Sequence, residues 1–94
     1  MQESFCCRNN SLTTLLGSPY TVNGDFDCSI NQLSSLSYAP VHVASDFDCS
    51  WNDISSLHGA PKTVYGDFTC EACAITFVMQ DVQRASNVLG QIFC

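Results

Sequence analysis

Four phenylalanines, Phe5, Phe26, Phe47 and Phe68, stand 21 residues apart, and so do four cysteines, Cys7, Cys28, Cys49 and Cys70. The same interval joins Asn10, Asn31 and Asn52, and it joins Pro19, Pro40 and Pro61. It recurs in Val22, Val43 and Val64, in Asp25, Asp46 and Asp67, in Leu12, Leu33, Ile54 and Ile75, and in Leu15, Leu36, Leu57 and Val78. A fixed period of this length means a stack of like coils, because one such coil cannot bury its apolar side alone.

Within each unit, Val-x-x-Asp-Phe-x-Cys alternates inward and outward positions with the period of a strand. Asn follows three residues after Cys, then two apolar positions three apart, then Pro. Proline cannot join a sheet interior and pushes the residue before it to extended geometry. Each unit is therefore expected to form a short strand, a turn at Asn, an apolar return and an extended, Pro-containing back segment. The units run over 5–25, 26–46 and 47–67, followed by a capping unit over 68–94, all in one domain. Short polar side chains satisfy turn backbone groups, and that is the role expected of the Asn column.

The series Phe26-x-Cys28-x-x-Asn31-x-Leu33 and Phe47-x-Cys49-x-x-Asn52-x-Ile54 resembles the leucine-rich repeat, whose strand and turn read L-x-L-x-x-N/C-x-L. The 21-residue length and the Pro-bearing back resemble the short bacterial repeats of type III-secreted effectors. The phrase L-x-x-L-x-x-A/S-P-x-x-V-x-G-D-F-x-C-S-x-N resembles small repeat proteins of tailed phages. The resemblance covers nearly the whole chain and implies an α+β solenoid, a short leucine-rich-repeat-like stack of about five parallel strands with extended backs and one C-terminal capping helix. It implies little about function, since this fold is a general binding scaffold.

The pattern changes after Cys70. Cys73 replaces Asn, no Pro follows, and Val78, Val82, Ala85 and Leu89 are spaced as on one face of a helix. Val88-Leu-Gly90-Gln-Ile92-Phe-Cys94 then repeats Val64-Tyr-Gly66-Asp-Phe68-Thr-Cys70 after 24 residues instead of 21. A helix over about 77–87, within a cap over 75–87, and a fifth strand are expected, with Cys94 the fifth member of the cysteine ladder. Solenoid ends need such caps.

Seven cysteines in 94 residues would suit a disulfide scaffold. Here the repeat accounts for the ladder: Cys is a small core hydrophobe beside Phe. Strand stacking spaces these thiols by about 4.8 Å in a straight row, which cannot wrap a tetrahedral metal. No metal and no cofactor are expected. Cys70-x-x-Cys73 lacks the second pair of a zinc ribbon. Cys6, on an outward strand position at the N-terminal edge, is the thiol expected to oxidise or crosslink. Residues 1–5 show no basic segment leading into an apolar run, and nothing approaches the roughly 20 apolar residues that span a bilayer. A cytoplasmic protein is expected, without membrane contact.

Outward strand positions place Asp25, Asp46 and Asp67 in one column, Asp27, Asp48 and Thr69 in the next, and Ser29, Ser50 and Glu71 in a third. Like charges stacked at strand spacing are unfavourable unless offset. Backbone N–H groups of the adjoining turns offset them on one reading and a basic protein partner on another; a calcium ladder is the least favoured, since six to eight oxygens are hard to gather from flat strands. Past the strands, the column Asn9, Ile30, Trp51, Ala72 sets an Ile beside a Trp where the repeat requires nothing apolar; Trp is enriched in binding hot spots, and it equally suits packing by folding back over the strand ends. His42 and His58 lie on back segments with no nucleophile beside them, and no phosphate loop or HExxH occurs, so no catalytic residue is expected.

The formal charge of −6, nine acidic against three basic residues, disfavours direct nucleic-acid binding. The expected function is non-enzymatic protein binding through an acidic concave face, with Asp25, Asp27, Asp46, Asp48, Asp67, Ile30 and Trp51 as candidate contacts. The resemblance implies a phage accessory protein whose partner is a host protein in the host cytoplasm. An acidic mimic of nucleic acid that blocks a host defence or nuclease protein is the alternative, as is a structural, oligomerising role. A homodimer through a strand edge is expected, with the N-terminal edge favoured.

Overall fold

The computed structural model of the protein describes residues 4–75 and 77–94. The chain winds as a parallel-strand β-solenoid with one short helix. Its elements are β1 (Phe5–Cys6), β2 (Thr21–Val22), β3 (Phe26–Asp27), β4 (His42–Val43), β5 (Phe47–Asp48), β6 (Thr63–Val64), β7 (Phe68–Thr69), α1 (Met79–Ala85), β8 (Asn87–Val88) and β9 (Ile92–Phe93). The front sheet has the order β1-β3-β5-β7-β9 and the back sheet β2-β4-β6-β8. Every pair is parallel, and the register sets Phe5, Phe26, Phe47, Phe68 and Ile92 side by side.

The Val-to-Cys stretch is therefore two strands. Val22, Val43 and Val64 belong to the back sheet, Phe26, Phe47 and Phe68 to the front, and the chain bends between them. A coil that closes in 21 residues must turn a corner there, and both Val and Phe still point into the one core. The back segments are more than extended: Val41 and Ala44 donate N–H groups to Tyr20 O (2.8 Å) and Val22 O (2.9 Å), and the next coil repeats the pattern.

Phe26, Phe47 and Phe68 are fully buried, each contributing about 2–3 kcal/mol of hydrophobic stabilisation. Phe5, Phe26 and Phe47 stack face over face at 5.3 and 5.5 Å with interplanar angles of 7° and 8°, while Phe68 tilts by 40°. Offset stacking of this kind adds to area burial. Cys28, Cys49 and Cys70 fill the space beside the rings as free, buried thiols.

Asn31 and Asn52 are the buried polar pins of the turns. Asn52 Nδ2 donates to Cys28 O (3.0 Å), Cys49 O (3.0 Å) and Ser50 O (3.2 Å), and its Oδ1 accepts from Leu33 N (3.0 Å). Asn31 repeats this one coil earlier, reaching Cys7 O, Cys28 O and Ser29 O and accepting from Asn10 N and Leu12 N. Each amide thus ties its own turn to the coil before it.

The last unit departs from its expected form in four ways. The helix covers Met79–Ala85 rather than 77–87, because Val78 and Ser86 are extended and Asn87 enters the back sheet beside Thr63. Asp81 starts it, its Oδ2 accepting from Val78 N at 3.0 Å. Of the expected helical face only Val82 is fully buried, with Ala85 partly so; Val78 is exposed, and so is Leu89, which follows β8 in the outward position of Tyr65. Phe77, not Val78, is the buried residue that continues from Leu15, Leu36 and Leu57, since the helix shifts the path by one residue. Ile75 is exposed, unlike Leu33 and Ile54, because the chain leaves the coil path for the helix there. Thr76, inside the expected cap, lies outside the described residues.

Two measurements test this frame. Asn52→Ala should lower unfolding free energy by roughly 3 kcal/mol, since buried carbonyls and the Leu33 N–H lose their partner; a loss below 1 kcal/mol in denaturant titration would show water replacing the amide. The thiols give a pH signature. Burial pushes Cys70 up to about 12 from the ordinary value of 9.0 and raises Cys28 as well, so these groups stay protonated in the fold when the unfolded chain already ionises. Their contribution is complete below about pH 9 and is lost as pH rises towards 12. Stability should fall across that window, and Cys28→Ala should flatten the decline.

Candidate functional site

The outer face of the front sheet holds the acidic columns. Asp25 Oδ1 accepts from Asp46 N (3.0 Å), Asp46 Oδ1 from Asp67 N (2.8 Å) and Asp67 Oδ1 from Gln91 N (2.8 Å). At the first coil Ser4 Oγ takes the same place, accepting from Asp25 N at 3.2 Å. These carboxylates are rungs between coils. The positions before Asp67 and Gln91 are Gly66 and Gly90, where a Cβ would collide with the carboxylates of Asp46 and Asp67 and the adjoining backbone.

Asp27 and Asp48 act within their own coils. Asp27 Oδ1 accepts from Ser29 N (3.0 Å) and from the Ser29 hydroxyl; Asp48 Oδ1 accepts from Ser50 N (2.9 Å). Arg8 Nη1 lies 3.9 Å from the second oxygen of Asp27, a loose, exposed pair. The expected third column is not a surface column. Ser29 and Ser50 are buried, Ser50 Oγ accepting from Glu71 N at 3.1 Å, and only Glu71 is exposed.

The next column carries a backbone feature that residue types alone did not announce. Asn9, Ile30, Trp51 and Ala72 all have left-handed backbone, with φ of 59°, 57°, 58° and 56°. Asn is at ease there; a β-branched Ile is not, and a large Trp gains nothing from it. The strain is imposed by neighbours on both sides. Asp27 and Asn31 bracket Ile30 with hydrogen bonds, as Asp48 and Asn52 bracket Trp51. The backbone N–H groups of Ile30 and Trp51 continue the ladder to Ser50 O and Glu71 O, both at 3.0 Å.

The side chains remain in solvent. Ile30 is 42% and Trp51 66% exposed, so the indole does not fold back over the strand ends. They sit in adjacent coils and form an apolar ridge beside the Asp27 and Asp48 column. All seven candidate residues thus share one side of the solenoid. Asp25, Asp46 and Asp67 are committed as rungs, while Ile30 and Trp51 hold a backbone state that glycine adopts without strain. The signal available in the sequence was the absence of Asn or Gly at a turn position between Ser and Asn.

Other features stand apart from this face. Tyr38 is a second non-glycine in a left-handed column, between Gly17 (96°) and Gly59 (88°), at 71°. An open groove of about 480 Å³ runs between α1 and the 55–60 segment, with Leu57, Phe77 and Ala85 in its wall and His58 and Arg84 at its edge. Among the described residues no three His, Cys, Asp or Glu side chains converge as metal ligands, and no helix is long and apolar enough to cross a membrane. Compared with known proteins, the chain matches no family model, no curated protein and no solved structure.

Strain at Ile30 and Trp51 gives a direct test. Ile30→Gly should raise stability by about 1 kcal/mol by relieving the left-handed penalty, and Trp51→Gly should be neutral or stabilising. Destabilisation of 1 kcal/mol or more by either change, in thermal and denaturant unfolding alike, would mean that the side chain serves the fold.

Proposed function

We propose that this protein is a non-enzymatic binding module that recognises a basic protein surface through the Ile30–Trp51 ridge and the flanking carboxylates of Asp27, Asp48 and Glu71. The observation that carries the reading is the pair of exposed apolar side chains held on strained backbone in adjacent coils of one column. Strain of order 1–3 kcal/mol persists where surrounding structure enforces it and is concentrated at functional sites. A desolvated Trp is a frequent hot spot. Nine acidic residues against three basic ones supply a field that steers a basic partner towards this face.

The finer fold assignment is a leucine-rich-repeat-like stack, supported by the Phe-x-Cys-x-x-Asn-x-Leu series and by the Asn pins that hold successive turns. The resemblance to small tailed-phage repeat proteins supplies a setting, an accessory protein acting on a host protein in the host cytoplasm. In that setting the ridge is the anchor and the Asp25, Asp46 and Asp67 rungs form the acidic surround.

Wild type, Trp51→Gly and Asp27→Lys/Asp48→Lys, each immobilised, separate the contributions. A partner retained by wild type from host lysate should be lost with Trp51→Gly, with at least a roughly tenfold weaker dissociation constant once purified. The double Lys variant should associate more slowly and lose the salt dependence of the on-rate. Equal affinity of all three for every captured protein, with unchanged melting, would remove this face from consideration.

A further inference from the structure

Cys73 occupies the turn column of Asn10, Asn31 and Asn52, and its sulfur lies where the amide nitrogen lies one coil earlier. Asn52 Nδ2 serves Cys28 O and Ser50 O; Cys73 Sγ sits 3.7 Å from Cys49 O and 3.9 Å from Glu71 O, the equivalent carbonyls. One weak thiol donor replaces a two-proton amide. That position also sets Cys73 Sγ against the main chain of Cys49, on the adjoining coil, with the Cys49 thiol in hydrogen-bonding reach. Cys49 is fully buried, its Sγ 3.5 Å from Thr69 O, whereas Cys73 is only partly buried and is reached from solvent. The spacing Cys70-x-x-Cys73 suggests a pair of sequence neighbours, but the fold pairs Cys73 across coils instead.

We propose that Cys73 is an oxidation site for hydrogen peroxide and that Cys49 resolves the oxidised sulfur into an inter-coil disulfide. The Cys73 thiolate attacks one peroxide oxygen, the O–O bond breaks, and the departing hydroxide leaves as water after taking up a proton. Cys73 is then a sulfenic acid. The Cys49 thiol attacks its sulfur, the S–O bond breaks, and the hydroxyl leaves with the Cys49 proton as a second water. Two thiols lose two electrons in total and one peroxide gains them. Burial does not hinder Cys49, which attacks from inside the stack.

The surroundings separate this thiol from the others. Its contact with Cys49 lowers the Cys73 pKa, helped by the Asn52 N–H and opposed by burial and by Asp48. The same contact, with burial, holds Cys49 well above its ordinary value, so Cys73 is the member that ionises first. Burial keeps Cys28 and Cys70 protonated and out of reach. Cys6 and Cys94 are exposed at the two ends of the front sheet, and Cys94 stands against the buried thiol of Cys70. Thiolate character and access together select the reactive cysteine.

The test uses the full chain with Cys6→Ser and Cys94→Ser, treated with near-stoichiometric hydrogen peroxide, alkylated and mapped by peptide mass spectrometry. One intramolecular disulfide joining Cys49 to Cys73 is expected. Cys49→Ala should halt the reaction at a Cys73 sulfenic acid, trapped by a cyclic 1,3-diketone. Cys73→Asn, which restores the amide pin, should stay folded with an unchanged or higher melting temperature and consume peroxide at least tenfold more slowly. A Cys70–Cys73 bond, or equal peroxide consumption by the folded Cys73→Asn variant, overturns the assignment.

Discussion

Everything in this molecule depends on each coil lying in register over the next. Front strands only two residues long would not hold a sheet by themselves; isolated strands of that length are far below the stable range. They hold because side chains extend the ladder beyond the strands. The Asp column ties successive corners, Asp25 to Asp46 to Asp67 to Gln91, and the Asn column ties successive turns. Between those two lines of rungs the Phe rings stack and the thiols fill the remaining space. In-register stacking also explains the conserved spacing within the chain: a residue that satisfies the coil above must be matched by one of the same kind below.

That logic decides what was legible in the sequence. Positions whose role is repeated were readable from their recurrence. Phe26 and Cys28 pointing inward, Asn31 in the turn and Pro40 at the back all follow from period and residue type. The division of each unit into front and back strands was not readable, because Val22 and Phe26 alternate correctly whether or not a corner intervenes. Nor was the inward turn of Ser29 and Ser50, which look like surface serines until the Asp27 and Asp48 carboxylates capture them. The shift from Val78 to Phe77 arises from the helix insertion, which an interval of 21 residues cannot register.

The candidate site was half legible. Ile30 and Trp51 stood out as apolar residues at a position that needs none, but their backbone state is a tertiary consequence. Left-handed φ is held by the two hydrogen-bonded brackets around each of them, and the ladder bonds of Ile30 N and Trp51 N to the next coil fix it in the stack. The acidic columns teach the opposite lesson. Five carboxylates on one face suggest a binding groove, yet three of them already accept backbone N–H groups across coils and two accept them within their own turns. Their charge remains available to a partner, while their position is dictated by the fold. The apolar ridge is therefore the part of the face whose chemistry the fold does not require.

The departures from the repeat cluster in the last coil. Ala72 replaces Ile and Trp in the left-handed column, Cys73 replaces Asn, and Ile75 leaves the core, all within four positions. Cys73 has no oxygen to receive the Ile54 N–H in the manner that Asn52 Oδ1 receives Leu33 N. A thiol offers one weak donor where an amide offers two protons and an acceptor, so this turn has fewer bonds to the coil before it. The residue that replaces the amide is a cysteine, and its neighbour across the joint is another. The substitution that weakens the repeat is thus the one that brings two sulfurs together, at the coil that carries the N–H acceptor of Trp51.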